Sequence, residues 1–497
     1  MGKTGVKEAA RVKEPKKRKL LSESAFIRYF RDIGTAVSKG DAAVKLSMII
    51  MGAGYVARKQ VIKGILVTLV EALYILLLVV WAIPNLSKFS TLGTVQLQMV
   101  FDPATGKNVV NDYDNSFLIL IFSIVALVLL AVFVLYYIHN LKAVYKIQLR
   151  AEQGRHINTF KEDLKSMVGD KFHITLLTLP SLGVILMNVL PLFVLVAIAF
   201  TNYDQQHMPP NALLDWVGFD NFKTLFSRGG LTVSFGYAFG KIVSWTFLWA
   251  FLATFTCFIG GILLAQLINS QGVKFKKMWR TLFIVTIAVP QFVTLLLVRN
   301  FFREDGIVNT LAANSGLIDF LKNIGLVKSS MNAIPFLSGR SVGWAKFMIV
   351  MINIWVGVPY QMLIATGVLM NAPQDQVESA RIDGANKWQI FWKITMPYIL
   401  VVQGPALITD FVRNINNFNV IYLLTQDLYT TQDMAMANSN AKEVDLLVTW
   451  LFRLTNEYYN YKMASVIGII VFLICVAFTL VSYARMMRGG REEDYQL

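Results

Sequence analysis

Among 497 residues there are only two cysteines and four histidines. Cys257 and Cys475 both lie inside apolar runs. That placement excludes a disulfide framework and leaves them as small residues facing lipid or other helices. His139, His156, His173 and His207 fall in separate loops or at the ends of apolar runs, without metal-ligand spacing. No G-x-x-x-x-G-K-[ST] occurs, so the chain has no loop of its own for cradling nucleotide phosphates. Neither a Ser/His/Asp arrangement nor a carboxylate pair stands out, which argues against an intramembrane enzyme. Glu71 is the one acid deep in a peripheral apolar run. Lacking acidic or histidine partners for a proton relay, it reads as hydrogen-bonded to a neighbouring helix. The basic start of the chain lacks the short apolar core and small-residue cleavage site of a secretory signal.

What is abundant is apolar length. The chain is 55% hydrophobic with a mean hydropathy of +0.52, and several runs exceed the 18 or so residues that read as membrane spans. Eight spans are expected, at 64–84, 116–138, 174–201, 242–268, 281–298, 346–370, 398–424 and 463–484. The seventh is the most polar, carrying Asp410, Arg413 and a cluster of asparagines. Leu46–Tyr55 is apolar but too short to span, so an interfacial helix is expected there.

The net charge of +16 could point to nucleic acid, but its distribution points to the membrane. The first 64 residues hold 15 Lys/Arg against 5 Asp/Glu, densest at Lys16-Lys17-Arg18-Lys19. No aromatic interleaving or nucleic-acid module accompanies them, so the arm reads as a basic segment near anionic lipid. The 139–172 loop carries seven Lys/Arg, the 269–280 turn carries Lys274, Lys276, Lys277 and Arg280, and Arg485, Arg488 and Arg491 follow the last span. Loops 85–115, 202–241, 299–345 and 425–462 show no such excess. By the positive-inside rule both termini and the 371–397 loop are cytoplasmic. In the second outer loop, Trp216 to Phe222 suggests a short amphipathic helix at the outer interface.

The 371–397 loop has its own structure. Pro373 begins a helix well, and Asp375 and Glu378 suit the positive end of its dipole. Gly384 can take the left-handed conformation that ends a helix. A second helix then places Trp388, Phe391, Trp392 and Thr395 on one face, with Pro397 expected to stop it as the next span begins. The result is a helix–turn–helix knob whose aromatic face needs burial under the spans or in a partner's cleft.

Within this loop Glu378-Ser379-Ala380, three residues, Gly384, nine residues and Ile394-Thr395-Met396-Pro397 resemble the EAA loop of binding-protein-dependent ABC importer permeases. Ser379 and Met396 are mild departures. The resemblance implies an all-α polytopic membrane protein with a six-helix permease core. It makes the loop a coupling element docking on a separate ATP-binding subunit through Glu378, Ala380, Asp383, Gly384, Ile394 and Pro397. The implied partners are two ATP-binding subunits, a second, smaller permease subunit and an extracellular sugar-binding protein, with no cofactor or metal.

A narrower likeness lies in Asn353 to Tyr360 and Asn414 to Phe418, which look like the sugar-lining segments of the larger permease subunit of maltose/maltodextrin importers. It implies substrate contacts from Asn353, Val356, Gly357, Tyr360, Asn414 and Asn417. Arg413 departs from that pattern, standing where the likeness implies an apolar aromatic residue. Another oligosaccharide or a glycerol phosphodiester is therefore the alternative cargo, and an ion-coupled secondary transporter is the alternative class. Physical reasoning supports a sugar site independently. Gly357 and Pro359 are expected to interrupt a helix at mid-membrane depth, where irregular backbone must line a cavity or be buried. Asn414 and Asn417 share a helical face, and Asn353 and Tyr360 lie two turns apart on theirs. Amides match hydroxyls as donors and acceptors, and tyrosine offers a plate to a sugar's apolar face. Asparagines that only tie helices together are the competing explanation. The expected organisation is a basic arm with an interfacial helix (1–63), peripheral spans (64–201), an outer loop (202–241), the permease core (242–487) and a tail (488–497).

Overall fold

Eight apolar runs separated by charged or Gly/Pro-containing segments give a bundle of long helices. The computed structural model describes residues 33–103, 106–227, 235–270 and 272–489. The basic run Lys16 to Lys19 and the tail from 490 lie outside the described residues. Among those described, seven helical segments are long and apolar enough to cross a membrane, and a bent pair makes an eighth candidate. They are α1 (Val61–Ser87), α2 (Ser116–Glu152), α3 (Phe172–Ile198), α4 (Phe235–Asn269), the pair α5 (Lys276–Ala288) and α6 (Gln291–Phe301), α7 (Val342–Met370), the composite segment Lys387–Thr425, and a last helix starting at Tyr461. Every expected span falls on one of them. α2 continues well past 138, into what reads from sequence as a loop.

Several expectations about regularity are corrected. The span expected at 281–298 is not one helix but an elbow, bent by 92° between α5 and α6. Val289 precedes Pro290 and takes extended backbone, ψ 126°, because the proline ring disfavours a helical residue before it. Conversely, Gly357 and Pro359 do not interrupt α7, which is continuous from Val342 to Met370 with Pro359 buried inside it. Spanning helices tolerate an internal proline when neighbouring structure accommodates the freed groups. The interfacial helix expected at Leu46–Tyr55 is instead two short helices, Ala42–Leu46 and Ala53–Val56, joined by turns. Gly52 between them packs so closely on α1 that a Cβ would lie 2.0 Å from the Gly64 carbonyl oxygen. The outer-loop helix begins at Asp220, not Trp216. Gly218 is at φ +56°, and Trp216 forms a β-bridge with Thr201. The first outer loop also holds a small antiparallel hairpin, β1 (Met99–Asp102) and β2 (Lys107–Val110), with Met99 opposite Val110.

The chain divides into two compact units, 1–89 with 121–191, and 90–120 with 192–497. The first centres on Val44, Tyr55, Leu141 and Val144. Within it Glu71 accepts the backbone N–H of Met51 at 2.8 Å, in the turn between the two short helices.

The second unit is built around α4. Its Trp245 and Trp249 pack with Leu295 and Val298 of α6 and Ile349 and Ile352 of α7. Lower on α4, Phe258, Ile262 and Ala265 meet Met362 and Ala365. The crossing between α4 and α7 is close because α4 offers glycine. A Cβ on Gly261 would lie 2.5 Å from Gln361 Cβ and 2.8 Å from the Met362 nitrogen. Small residues at such crossings let backbones approach where no hydrophobic effect drives association.

Candidate functional site: a polar cavity and an exposed helical knob

Two further helix starts position the site's groups. The composite segment Lys387–Thr425 comprises α9 (Lys387–Ile390), a π turn (Phe391–Thr395), α10 (Met396–Ile415) and α11 (Phe418–Thr425). α10 ends at Asn416, and Asn417 caps α11 by accepting the Val420 N–H at 3.3 Å. The helix axis is thus broken in mid-segment by asparagines, residues whose side chains compete well for backbone groups.

The α10–α11 break, the α5–α6 elbow and the middle of α4 and α7 enclose a cavity of about 670 Å³. That size is within the range of small-molecule sites, ~300–1,000 Å³. All six residues expected from sequence line it: Asn353, Val356, Gly357, Tyr360, Asn414 and Asn417. The irregular backbone lining it is supplied by Val289-Pro290 and Asn416-Asn417 rather than by α7, consistent with the rule that such backbone is tolerated beside a cavity.

Part of the asparagine chemistry is spent on packing. Asn414 Nδ2 donates to Thr254 Oγ1 at 2.9 Å, while its backbone carbonyl accepts the Trp249 indole N–H at 3.1 Å. Asn417 Nδ2 donates to Asn414 Oδ1 at 3.3 Å. Asn353, buried on α7, exchanges contacts with Cys257: its backbone carbonyl lies 3.7 Å and its side-chain Nδ2 3.5 Å from the thiol sulfur. The same thiol would lie 2.7 Å from a Cβ on Gly357, so Gly357 is what lets α4 and α7 close on this level. Amides retain donor and acceptor capacity beyond these bonds. Tyr360 and Trp355 are 43% and 58% exposed, presenting rings where an apolar sugar face could stack. Arg413 pairs with Asp410 at 2.9 Å, as their i, i+3 spacing allows.

Sequence reasoning missed the rest of the lining. Gln361, Thr254, Gln291 and Thr294 also face the cavity. Gln361 and Thr254 sit next to residues already singled out on one helix or buried on another, and a lone polar residue in an apolar run carries little signal. Gln291 had a usable cue, the Pro290 before it.

The knob is a separate feature of the same unit. α8 (Gln374–Ile382) begins after Pro373 and ends at Asp383. Gly384 takes φ +80°. Its N–H donates to Arg381 O at 3.1 Å and the Ala385 N–H to Ala380 O at 2.9 Å, a Schellman closure that satisfies the helix's last carbonyls. Asn386 and Gln389 then form a reciprocal capping box at 2.8 and 2.9 Å that starts α9. Glu378, Asp383 and Gly384 are exposed, while Ala380, Ile394 and Pro397 are half-buried. Trp388, Phe391 and Trp392 cluster with ring centroids 5.1–6.4 Å apart, yet Trp388 is 69% and Ile382 86% exposed. The aromatic face is therefore not buried under the spans.

Pro397 does not stop the second helix. Helical backbone runs on from α9 through the π turn into α10. A π turn widens the backbone by one residue and accommodates a following proline that lacks an N–H.

Long apolar helices around a polar, mid-bundle cavity are the anatomy of a membrane permease. Residues 257–488 match the family model described as "Binding-protein-dependent transport system inner membrane component". The chain is 32% identical over 456 residues, 90% of its length and 96% of the relative's, to the maltodextrin transport system permease protein MalC of Streptococcus pneumoniae. It is 32% identical to the maltodextrin permease MdxF of Bacillus subtilis, covering 90% of this chain and 96% of that one. To the galactooligosaccharides permease GanP of the same organism it is 29% identical, covering 90% and 98%. The chain belongs to this family of inner-membrane permease subunits of ABC importers.

Proposed function

We propose that this permease moves maltose or maltodextrins inward through the cavity between α4, α7, α10 and the α5–α6 elbow. What carries the reading is the convergence of Asn353, Tyr360, Asn414 and Asn417 on one cavity large enough for a small ligand. The full-length similarity to two maltodextrin permeases supports the same cargo. The similarity to a galactooligosaccharides permease favours a second cargo of the same chemistry, another neutral oligosaccharide. Uptake of a sugar panel separates the two.

Transport by alternating access needs an energy source, and no phosphate-cradling loop occurs in the sequence. In this reading two ATP-binding subunits supply it, gripping the exposed knob through Glu378, Ala380, Asp383 and Gly384, with Ile394 and Pro397 closing the motif on α9 and α10. Closure of the ATPase pair pushes the knob. Because α9 joins α10 without a flexible break, the push reaches Asp410 to Asn417 at the cavity wall. A second, related permease subunit completes the pathway, and an extracellular binding protein delivers the sugar. In this reading both termini and the knob face the cytoplasm, which the excess of Lys and Arg in the loops on that side supports.

The test is uptake of labelled maltotriose by proteoliposomes holding the complex purified through a tag on this chain. Asn353→Ala and Tyr360→Ala should each raise the sugar concentration for half-maximal uptake about tenfold, the effect of one lost buried hydrogen bond or stacking contact. Unchanged concentration dependence in both would remove the cavity from the sugar's path.

A further inference from the structure

Sugar binding by amides and rings does not by itself require charge, yet the cavity contains an ion pair. Asp410 and Arg413 are the charged side chains among its described lining residues. They lie one turn apart on α10, with Arg413 Nη2 2.9 Å from Asp410 Oδ1. The second carboxylate oxygen accepts from Gln361 Nε2 of α7 at 2.7 Å. Both oxygens of Asp410 are thus engaged by the protein. The two partners differ in how far they reach into the open. The Asp410 side chain is 14% exposed and that of Arg413 62%. The carboxylate is recessed and the guanidinium stands forward.

A guanidinium carries five N–H donors in a planar fork, and Asp410 occupies only one edge of it. Alone in a cavity, such a fork is a carboxylate or phosphate site. Beside Asp410 it keeps its remaining donors while the formal charge of the lining falls to zero.

We propose that the Asp410–Arg413 pair sets the charge class of the cargo. It provides hydrogen-bond donors for the hydroxyls of an uncharged saccharide and denies the cavity to acidic ones. The proposal rests on the reading of this cavity as the saccharide site. A neutral sugar needs only the free edge of the guanidinium. An acidic sugar must either displace Asp410 from Arg413 or place its own charge beside a carboxylate fixed by Gln361. Like-charge juxtaposition at short range suppresses wrong partners. Asp410 is therefore a specificity determinant acting through Arg413.

The experiment compares uptake of maltotriose, which is neutral, with trigalacturonate, which is anionic, in proteoliposomes of the tagged complex. Wild type should import maltotriose and not trigalacturonate. Asp410→Asn retains an acceptor for Gln361 and leaves Arg413 charged. It should gain trigalacturonate uptake about tenfold or more over wild type, the size of effect expected when a repulsive charge is removed beside an attractive one. The gain should shrink as ionic strength rises. Asp410→Ser repeats the charge change with a smaller side chain, so that a failure of one variant to assemble does not decide the matter. Adding Arg413→Gln to either should abolish the gain. The proposal is overturned if wild type imports both sugars, if neither Asp410 variant gains the acidic sugar while importing maltotriose, or if the gain survives loss of Arg413. Wild type importing neither sugar would instead overturn the saccharide reading of the cavity.

Discussion

Replacing Gly384 tests the knob without touching the rest of the protein. The residue is at φ +80°, and a Cβ there would meet nothing within 4 Å. The cost of a side chain is therefore one of backbone conformation alone. An L-residue in the left-handed region costs about 1–2 kcal/mol, more for a β-branched one and less for asparagine. The turn it supports is held by two bonds, Gly384 N–H to Arg381 and Ala385 N–H to Ala380, and the surrounding side chains are exposed. A penalty of about 1–2 kcal/mol would depopulate the ordered knob by roughly 5–30-fold, with little effect on the buried clusters of the bundle. Gly384→Val should therefore leave the thermal unfolding of the permease unchanged while cutting sugar-stimulated ATP hydrolysis by the complex in that range. Gly384→Ala should fall between Val and wild type, and Gly384→Asn should lie near wild type. A Val variant with normal coupling, or an Asn variant as impaired as Val, would show that the left-handed turn is irrelevant to coupling.

Other expectations concern packing and the outer loops. Gly261→Val should abolish accumulation of folded protein, because its Cβ would drive into Gln361 and the Met362 backbone, and overpacking costs about 1–3 kcal/mol or more. Gly240→Ala, where a Cβ meets nothing within 4 Å, should express normally. Asp204, in the loop after α3, is partly buried, which raises its pKa, but hydrogen bonds from Lys462 and His207 outweigh that and bring it down to about 2. Its folded pKa is thus below its unfolded one. The stability it contributes is full above about pH 4 and is lost as pH falls toward 2. The destabilisation caused by Asp204→Asn, read as a shift in melting temperature, should be present at pH 7 and vanish near pH 2. A shift that is the same at both pH values would mean that the Lys462 contact at 2.6 Å does not depend on ionisation.

Which features were legible in the sequence follows from the range of the forces behind them. Membrane spans depend on local apolar length, so all eight regions were found. Pro373 and Gly384 are governed by local backbone rules, and the knob they define has the turn expected of it; the Asn386 cap that starts its second helix was not singled out. The cavity residues Asn353, Tyr360, Asn414 and Asn417 were legible because polar groups at membrane depth need a reason to be there. Where the chain bends was harder to read. Pro359, Pro290 and Pro397 look equivalent in sequence. Yet α7 absorbs the first, the chain turns sharply at the second and a π turn accommodates the third. Tertiary packing decides among these outcomes, and one sequence does not encode it locally. The β1–β2 hairpin escaped notice because two four-residue strands carry little periodicity.

Coupling of ATP hydrolysis to sugar import is decided by measuring ATP hydrolysis and maltotriose uptake together in proteoliposomes holding the complex isolated through this chain. Uptake should require ATP and the binding protein, hydrolysis should rise when maltodextrin is added, and both should fall about 5–30-fold in Gly384→Val. Sugar uptake by the purified chain alone, driven by a proton or sodium gradient without ATP, would contradict this coupling.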